Sequence, residues 1–258
     1  MSKLRAKCPS CGTQTAVALG PCYECHVCGR EFAAGLVRVP RAWGAGGEPM
    51  ERAARLPLPY PEAAVVEEDT LAEQTFAIAT ELPDRPLLLG GCCCAHVGAV
   101  EALAARHGRI SIVWLDAHGD LNTPETSPSG NVWGMPLRML IDSGAVDAQD
   151  VALVGARNLD PPEQEFIART GLPTGAGAVE RAVEGTEGTY VAFDADSVEP
   201  GELQVFMPEP DGLRLGDVER VFAAVHERSL VLGAGVTALA PDERNVKPVT
   251  NLVAALGL

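Results

Sequence analysis

Residues 112–121 read IVWLDAHGDL, a short apolar run that ends in three side chains able to bind metal. The apolar part predicts a buried strand. Asp116, His118 and Asp120 follow at alternate positions, and alternate residues of an extended segment face the same side. In a parallel sheet these side chains would lie at the carboxyl edge, where such sheets hold their ligands. The stretch therefore predicts an α/β protein with a metal site.

Apolar runs and helical periodicity alternate along most of the chain. The predicted strands cover residues 86–89, 110–115, 151–154, 190–193 and 230–232, and the predicted helices cover 95–106, 161–170, 218–227 and 248–256. This alternation predicts a three-layer α/β/α domain with a mostly parallel sheet over residues 62–258. Residues 36–61 are rich in Pro, Gly, Arg and Ala, and are predicted to be a linker or an irregular segment before that domain.

A second acidic strand end lies at residues 190–200, YVAFDADSVEP, where Asp194 and Asp196 alternate. Two such strand ends in one parallel sheet can meet across its carboxyl edge. Together they offer four carboxylates and one imidazole, enough for two divalent ions with shared carboxylates. Mostly oxygen ligands with one nitrogen favour Mn²⁺. A solvated loop with a helix cap is the alternative for a lone D-x-H-x-D, and the second motif weakens it.

Two cysteine knuckles open the chain, CPSCG at residues 8–12 and CHVCG at residues 25–29. Four thiolates can form a closed tetrahedral zinc site, and a glycine after each knuckle allows a tight turn. Cys22 and Cys25 share the same spacing, but only the pair Cys25 and Cys28 is followed by glycine. A redox dithiol and an unliganded tail are the alternatives. We predict a zinc ribbon over residues 1–35 with a structural zinc held by Cys8, Cys11, Cys25 and Cys28.

Composition excludes several classes of protein. The 258 residues are 47% hydrophobic and 21% charged, which suits one large core with a small appendage rather than a disordered chain. A formal net charge of -15 disfavours nucleic acid and anionic membranes as partners, because the field repels phosphate. No basic leader with an apolar run opens the sequence, and Leu87–Val100, the most apolar stretch, is too short to span a membrane. Clustered cysteines fit a reducing compartment, so the expected location is cytoplasmic.

The DAHGD and FDAD segments resemble the paired metal motifs of the ureohydrolase superfamily, the arginases and agmatinases, and the resemblance covers residues 87–258. It implies the arginase fold and a binuclear manganese centre whose bridging hydroxide attacks a guanidinium carbon. By position, Asp116 and Asp194 correspond to the bridging ligands. His118 and Asp196 complete one metal site. Asp120 belongs to the other and is also a predicted catalytic residue.

Residues 122–131, NTPETSPSGN, resemble the arginase segment that holds the substrate's α-carboxylate. The matching positions are Asn122, Ser129 and Asn131, with Ser127 as a further hydroxyl. Residues 155–163, GARNLDPPE, resemble the segment whose acidic residue contacts the α-amino group, here Asp160. The resemblance thus implies a small-molecule substrate with an amino-acid headgroup. The alternative is that residues 122–131 form a turn-rich loop without a ligand.

Three positions depart from the family pattern at the reacting end. The GGDHS motif appears as GGCCC at residues 90–94, which puts Cys93 at the position of a metal-binding His. A thiolate there would favour Zn²⁺ or Fe²⁺. The alternative is that Cys92, Cys93 and Cys94 are small apolar fillers beneath a helix start. His96 is a candidate substitute ligand, although a core-facing or surface histidine is the favoured interpretation of that residue. Trp133 occupies the place of the His that assists proton transfer, an altered catalytic position. Ala238 falls where arginases present a Glu to the guanidinium.

The metal-binding carboxylates and the residues for the amino-acid headgroup are kept. The side chains that contact a guanidinium and transfer a proton to its leaving group are not. The predicted function is a binuclear metal-dependent hydrolase of a C–N bond, guanidino, amidino or related, in an amino-acid-like substrate, with arginine a poor candidate. The alternative is a non-catalytic protein that senses an amino acid or regulates a protein partner through the ribbon. A third hypothesis attaches nucleic acid to basic ribbon residues, Lys3, Arg5, Lys7 and Arg30. The resemblance also suggests a homo-oligomer.

Overall fold

The computed structural model describes residues 5–6, 8, 11, 13, 16–19, 22–32 and 35–258. The first of these segments form a small antiparallel sheet in the order β1-β2-β3-β4. Its strands are β1 (Arg5–Ala6), β2 (Ala16–Leu19), β3 (Cys22–Cys25) and β4 (Glu31–Phe32). Lys3 and Lys7, named for the nucleic-acid hypothesis, lie outside the described residues, as do the side chains of Arg5 and Cys22.

The main sheet has seven parallel strands within the described residues, in the order β6-β5-β7-β11-β10-β8-β9. They are β5 (Gly35–Val39), β6 (Glu62–Val65), β7 (Pro86–Gly90), β8 (Ser111–Leu115), β9 (Val151–Val154), β10 (Thr189–Asp194) and β11 (Val231–Thr237). The helices are α1 (Glu48–Ala53), α2 (Leu71–Glu81), α3 (Ala95–His107), α4 (Pro136–Asp142), α5 (Pro161–Thr170), α6 (Ala178–Val183), α7 (Leu215–Arg228) and α8 (Val246–Ala255).

Every strand of the main sheet except the edge strand β6 contributes side chains to two cores, one on each face. In β8, Val113 and Leu115 join the core formed with α1, α6, α7 and α8. Ile112 and Trp114 join the core formed with α2, α3, α4 and α5. A strand buried on both faces reads as a nearly continuous apolar run, as β8 does after Ser111. The predicted three-layer α/β/α fold is confirmed.

Sheet register places the two acidic motifs side by side. Leu115, the last residue of β8, pairs with Phe193 of the neighbouring β10. Asp116 and Asp194 therefore leave the sheet next to each other at its carboxyl edge. On the other side of β10, Asp194 pairs with Thr237 of β11.

The prediction of a linker over residues 36–61 is wrong at the start of that range. Residues Gly35–Val39 form β5, which pairs with β6 on one side and β7 on the other. Arg38 interrupts the apolar run, so the sequence pattern does not indicate a strand. Its charge is compensated, because Nε lies 2.7 Å from Glu62 Oε2. Its Nη1 also donates to the carbonyl of Ala54 at 2.7 Å. The linker's remaining residues include α1, which packs on the main core.

One predicted strand is much longer than its pattern indicated. Residues 230–232 were expected to form it, and β11 runs over Val231–Thr237. Gly233 and Gly235 make this strand hard to recognise from the sequence, since glycine is unfavourable in strands. Gly235 is needed for packing, because a Cβ there would lie 2.6 Å from atoms of His96 and Tyr190. Among the described residues, no helix combines the length and apolarity required to cross a bilayer.

Candidate metal centre and substrate cavity

Side chains that follow β7, β8 and β10 converge at the carboxyl edge of the sheet. Cys93, in the turn after β7, places Sγ 2.9 Å from Asp194 Oδ2 and 3.8 Å from Asp116 Oδ2. His118 Nδ1 lies 3.4 Å from Asp116 Oδ1 and 3.2 Å from Asp196 Oδ2. Two overlapping groups of metal-competent side chains result, and Asp116 belongs to both. They are Cys93 with Asp116 and Asp120, and Asp116 with His118 and Asp196.

Hydrogen bonds hold the acidic side chains in place. Asp116 accepts from the indole Nε1 of Trp114 at 3.1 Å and from the backbone N–H of His118 at 2.8 Å. Asp196 accepts from the backbone N–H of Ala117 at 3.1 Å, which ties the two motifs together. Charge-assisted bonds of this kind orient a carboxylate before any ligand arrives.

The cluster is buried and rich in negative charge. Burial, together with the charge of Asp196, raises the pKa of Asp194 to about 7. Burial and neighbouring aspartates also raise the pKa of Asp116 and hold that of Asp120 well above its usual range. Burial opposes a charge on His118, but contacts with the carboxylates of Asp116 and Asp196 outweigh it and raise its pKa to about 12. Mutually repelling carboxylates in a buried site are what divalent cations neutralise.

Asp120 supplies a direct test of whether cations fit the cluster. Its Oδ2 atom is buried and has no hydrogen-bond partner among the described residues. Its backbone is in the left-handed region at φ 53°, which non-glycine residues rarely adopt. A buried carboxylate oxygen is costly when it lacks a partner, and a metal ion would provide one. The residues present fit two divalent cations.

The metal-free protein should lose stability as the pH rises through this cluster's titration. A carboxyl whose folded pKa is raised binds a proton that the unfolded chain has released, so its burial costs stability above the ordinary value. For Asp194 the window runs from 3.8 to about 7. We expect Asp194→Asn, which stays neutral, to be more stable than the wild type at pH 8, and by a smaller margin at pH 5.

Urea unfolding with a chelator at the two pH values measures this difference. Asp142→Asn is the matched control, since that side chain is exposed and pairs with Arg138. Equal pH dependence in Asp194→Asn and the wild type would contradict the assignment of a raised pKa.

A cavity of about 300 Å³ opens beside the cluster, next to His118 and Asp120. All the predicted substrate-binding residues line it, namely Asn122, Ser127, Ser129, Asn131 and Asp160. Asn122 Nδ2 donates to Asp160 Oδ2 at 2.9 Å, which aims the carboxylate. Trp133 lines this cavity and also the small space next to the metal-competent side chains. The site thus combines a polar cavity with an acidic centre.

Two acidic residues that sequence reasoning missed support the site. The buried Glu163 carboxylate accepts from the backbone N–H groups of Leu121 at 3.0 Å and Asp160 at 2.9 Å, joining the metal loop to the start of α5. Its signal was the D-P-P-E pattern of a capping box. Glu209 Oε1 lies 3.8 Å from His118 Nε2. Glu209 follows no strand end or motif, so no local pattern marked it.

The other cysteines of the GGCCC segment lie outside both metal-competent groups among the described residues. Cys92 and Cys94 are buried and pack with Met50 and Ala238. His96 belongs to the core: its Nδ1 is 2.9 Å from the Tyr190 hydroxyl, and burial lowers its pKa to about 3. His96 is not part of either metal-competent group among the described residues.

The four knuckle cysteines of the predicted ribbon converge. Cys8 and Cys28 have sulfurs 3.6 Å apart, and those of Cys11 and Cys25 are 3.5 Å apart. Tetrahedral zinc with Zn–S bonds of about 2.3 Å separates its sulfurs by about 3.8 Å, so these residues fit a zinc ion.

The sequence and the structure were compared with known proteins. A profile of the arginase family matches residues 49–256. The arginase of Staphylococcus aureus (strain COL) is 33% identical over 142 residues, 45% of this chain and 47% of that protein. The arginase of Bacillus caldovelox is 30% identical over 201 residues, 67% of each chain. The structure of arginase from Bacillus cereus is similar in fold, with a TM-score of 0.73 and 24% identity over 86% of this chain and 97% of that one.

A parallel α/β/α sandwich of this topology, with these sequence relatives, places the chain in the ureohydrolase superfamily. The chain belongs to the arginase family, whose profile covers most of it. It spans about half the length of the first curated relatives that it matches.

Proposed function

We propose that this protein is a binuclear metal-dependent hydrolase of a C–N bond, amidino, guanidino or related, in a small molecule with an amino-acid headgroup. One observation carries the proposal: two overlapping groups of metal-competent side chains, sharing Asp116, lie beside a polar cavity. Membership of the arginase family supports the class of reaction.

The proposed ligands are Cys93, Asp116, His118, Asp120, Asp194 and Asp196. Divalent cations, when bound, supply an activated water and stabilise negative charge as the C–N bond is attacked. The carboxylates and imidazole favour Mn²⁺, whereas the thiolate position favours Zn²⁺ or Fe²⁺. The chain's own residues orient these ligands through Trp114 and the backbone N–H groups of Ala117 and His118.

Binding of the substrate falls to the cavity residues. Asp160, oriented by the hydrogen bond from Asn122, would accept a hydrogen bond from the substrate's α-amino group. Ser127, Ser129 and Asn131 would form hydrogen bonds with its α-carboxylate. Trp133 cannot titrate, so a proton must be held elsewhere.

A second function is favoured by two side chains at the reacting end. Trp133 and Ala238 offer no titratable group, as expected of a protein that binds an amino acid without turning it over. In this alternative the ribbon, which we propose as a separate zinc module over residues 1–35, would transmit binding to a partner.

Metal analysis and a hydrolysis assay test the proposal together. We expect about two divalent ions per chain besides the ribbon zinc, and release of product from at least one guanidino, amidino or ureido amino acid. A protein with no metal beyond the ribbon zinc contradicts the proposal. Tight binding of an amino acid without product, in protein that holds both ions, would favour the second function instead.

A further inference from the structure

An apolar wall covers the metal-ligand cluster on the side of the cavity. It consists of Met50, Trp133, Phe206, Met207 and Ala238. Trp133 and Phe206 meet edge to face with ring centroids 6.1 Å apart. These five side chains come from α1, from a short 3-10 helix, from the segment after β10 and from the turn after β11. The wall is therefore a product of the tertiary fold.

The space between the apolar wall and the cluster is very small. It has a volume of about 30 Å³, room for one or two water molecules. All the Asp, Glu, His, Lys and Arg residues that line it are the proposed metal ligands, so the wall itself contributes no charge. Trp133 and Met207 also border the larger cavity, so the two spaces adjoin. A headgroup in the larger cavity would direct the reacting group into the smaller one.

The backbone fixes the position of Ala238 in the wall. This residue is in the left-handed region at φ 56°. Its N–H donates to the Gly91 carbonyl at 3.1 Å, and its own carbonyl accepts from the Phe206 N–H at 2.9 Å. The methyl group is held where it faces the cluster, and its neighbour Phe206 is held with it.

Trp133 is equally constrained from behind. A Cβ at Gly44 would lie 2.3 Å from the indole Cζ3 atom, so that glycine packs directly against the ring. The Val132 N–H donates to the Trp43 carbonyl at 2.9 Å, which anchors the 3-10 helix that carries the ring. These contacts hold the Trp133 ring in the wall, so water does not take its place.

We propose that the apolar wall selects an uncharged reacting group, a ureido or carboxamide group, over a guanidinium. A guanidinium placed against the apolar wall would lose its water and gain no carboxylate, since every acidic group that lines the small space is committed to the cations. An unpaired buried charge costs several kcal/mol, far more than an unpaired neutral group. The inference rests on the proposed function, because it concerns the substrate of the same centre.

L-Arginine and L-citrulline form a matched pair of probes. They share headgroup and chain length, and differ in a charged guanidinium against a neutral ureido group. Isothermal titration of the metal-loaded full chain gives both dissociation constants without requiring turnover. We expect citrulline to bind at least about 10-fold more tightly, the ratio that 1.4 kcal/mol produces.

A charge placed in the wall should weaken or cancel the preference. Met207 is 38% exposed, so Met207→Glu should be tolerated, and we expect it to shift the ratio toward arginine by about 10-fold. Phe76→Glu is the control, because Phe76 is 74% exposed and lines neither the larger cavity nor the small space. Its ratio should equal that of the wild type.

The outcomes separate this inference from the proposed function. A chain that holds two cations and binds arginine as tightly as citrulline overturns the inference and leaves the proposed function standing. Binding of neither amino acid overturns it as well. Loss of all cations from the main domain instead contradicts the proposed function. The wild-type ratio stands on its own should Met207→Glu fail to fold.

Discussion

Asp116→Ala should leave the main domain without either divalent cation. Asp116 is the only side chain common to both groups of metal-competent residues among those described. Its Oδ2 is 3.8 Å from Cys93 Sγ, and its Oδ1 is 3.4 Å from His118 Nδ1. Removing a shared carboxylate weakens both positions at once, so metal content should fall from about three ions per chain to the ribbon zinc alone. Hydrolysis should become undetectable.

Elemental analysis after gel filtration measures this result. The control is Asp142→Ala, which removes a carboxylate from α4 that is exposed and paired with Arg138. It should keep the wild-type metal content. Thermal unfolding in chelator checks that Asp116→Ala still folds. We expect it to fold, because the Asp116 carboxylate repels its acidic neighbours and its removal relieves that repulsion. Retention of two cations by Asp116→Ala would remove the basis of the proposed centre.

The acidic edge of the sheet was predictable because its signals are local. Each motif is an apolar strand followed by alternating acids, and one sheet register then suffices to bring Asp116 and Asp194 together. The strand β5 was not predictable in this way. Arg38 breaks its apolar run, and the partners that compensate its charge are the distant Glu62 and two carbonyl groups. A compensating partner far along the chain leaves no trace in a local pattern.

The apolar wall illustrates the same limit for the site. Trp133 and Ala238 were identified as departures from a family pattern, which says what is missing but not what replaces it. Met50, Phe206 and Met207 come from segments without a motif, and only the fold brings them to the cluster. Specificity of this kind arises from packing between distant segments, so a single sequence does not display it.

Cys93→Ser should remove one of the two cations selectively. Cys93 is 4% exposed, and burial with neighbouring aspartates raises the pKa of its thiol well above the usual range. Such a thiol ionises only if a cation stabilises the thiolate. Serine keeps the size but is a poor ligand, so we expect Zn²⁺ affinity at this position to fall by at least about 100-fold. The position of His118 and Asp196 should keep its cation.

The control is Cys94→Ser, since Cys94 is equally buried in the same turn but lies outside the metal-competent groups. Competitive titration with a chromogenic chelator gives both affinities for each variant. Cys93→His extends the test: replacing sulfur by nitrogen should raise the preference for Mn²⁺ over Zn²⁺ at that position. If Cys93→Ser binds both ions like the wild type, Cys93 is an apolar filler, and the carboxylates must hold the first ion alone. A selective loss would instead trace the choice of metal at one position to a single sulfur atom, 2.9 Å from Asp194.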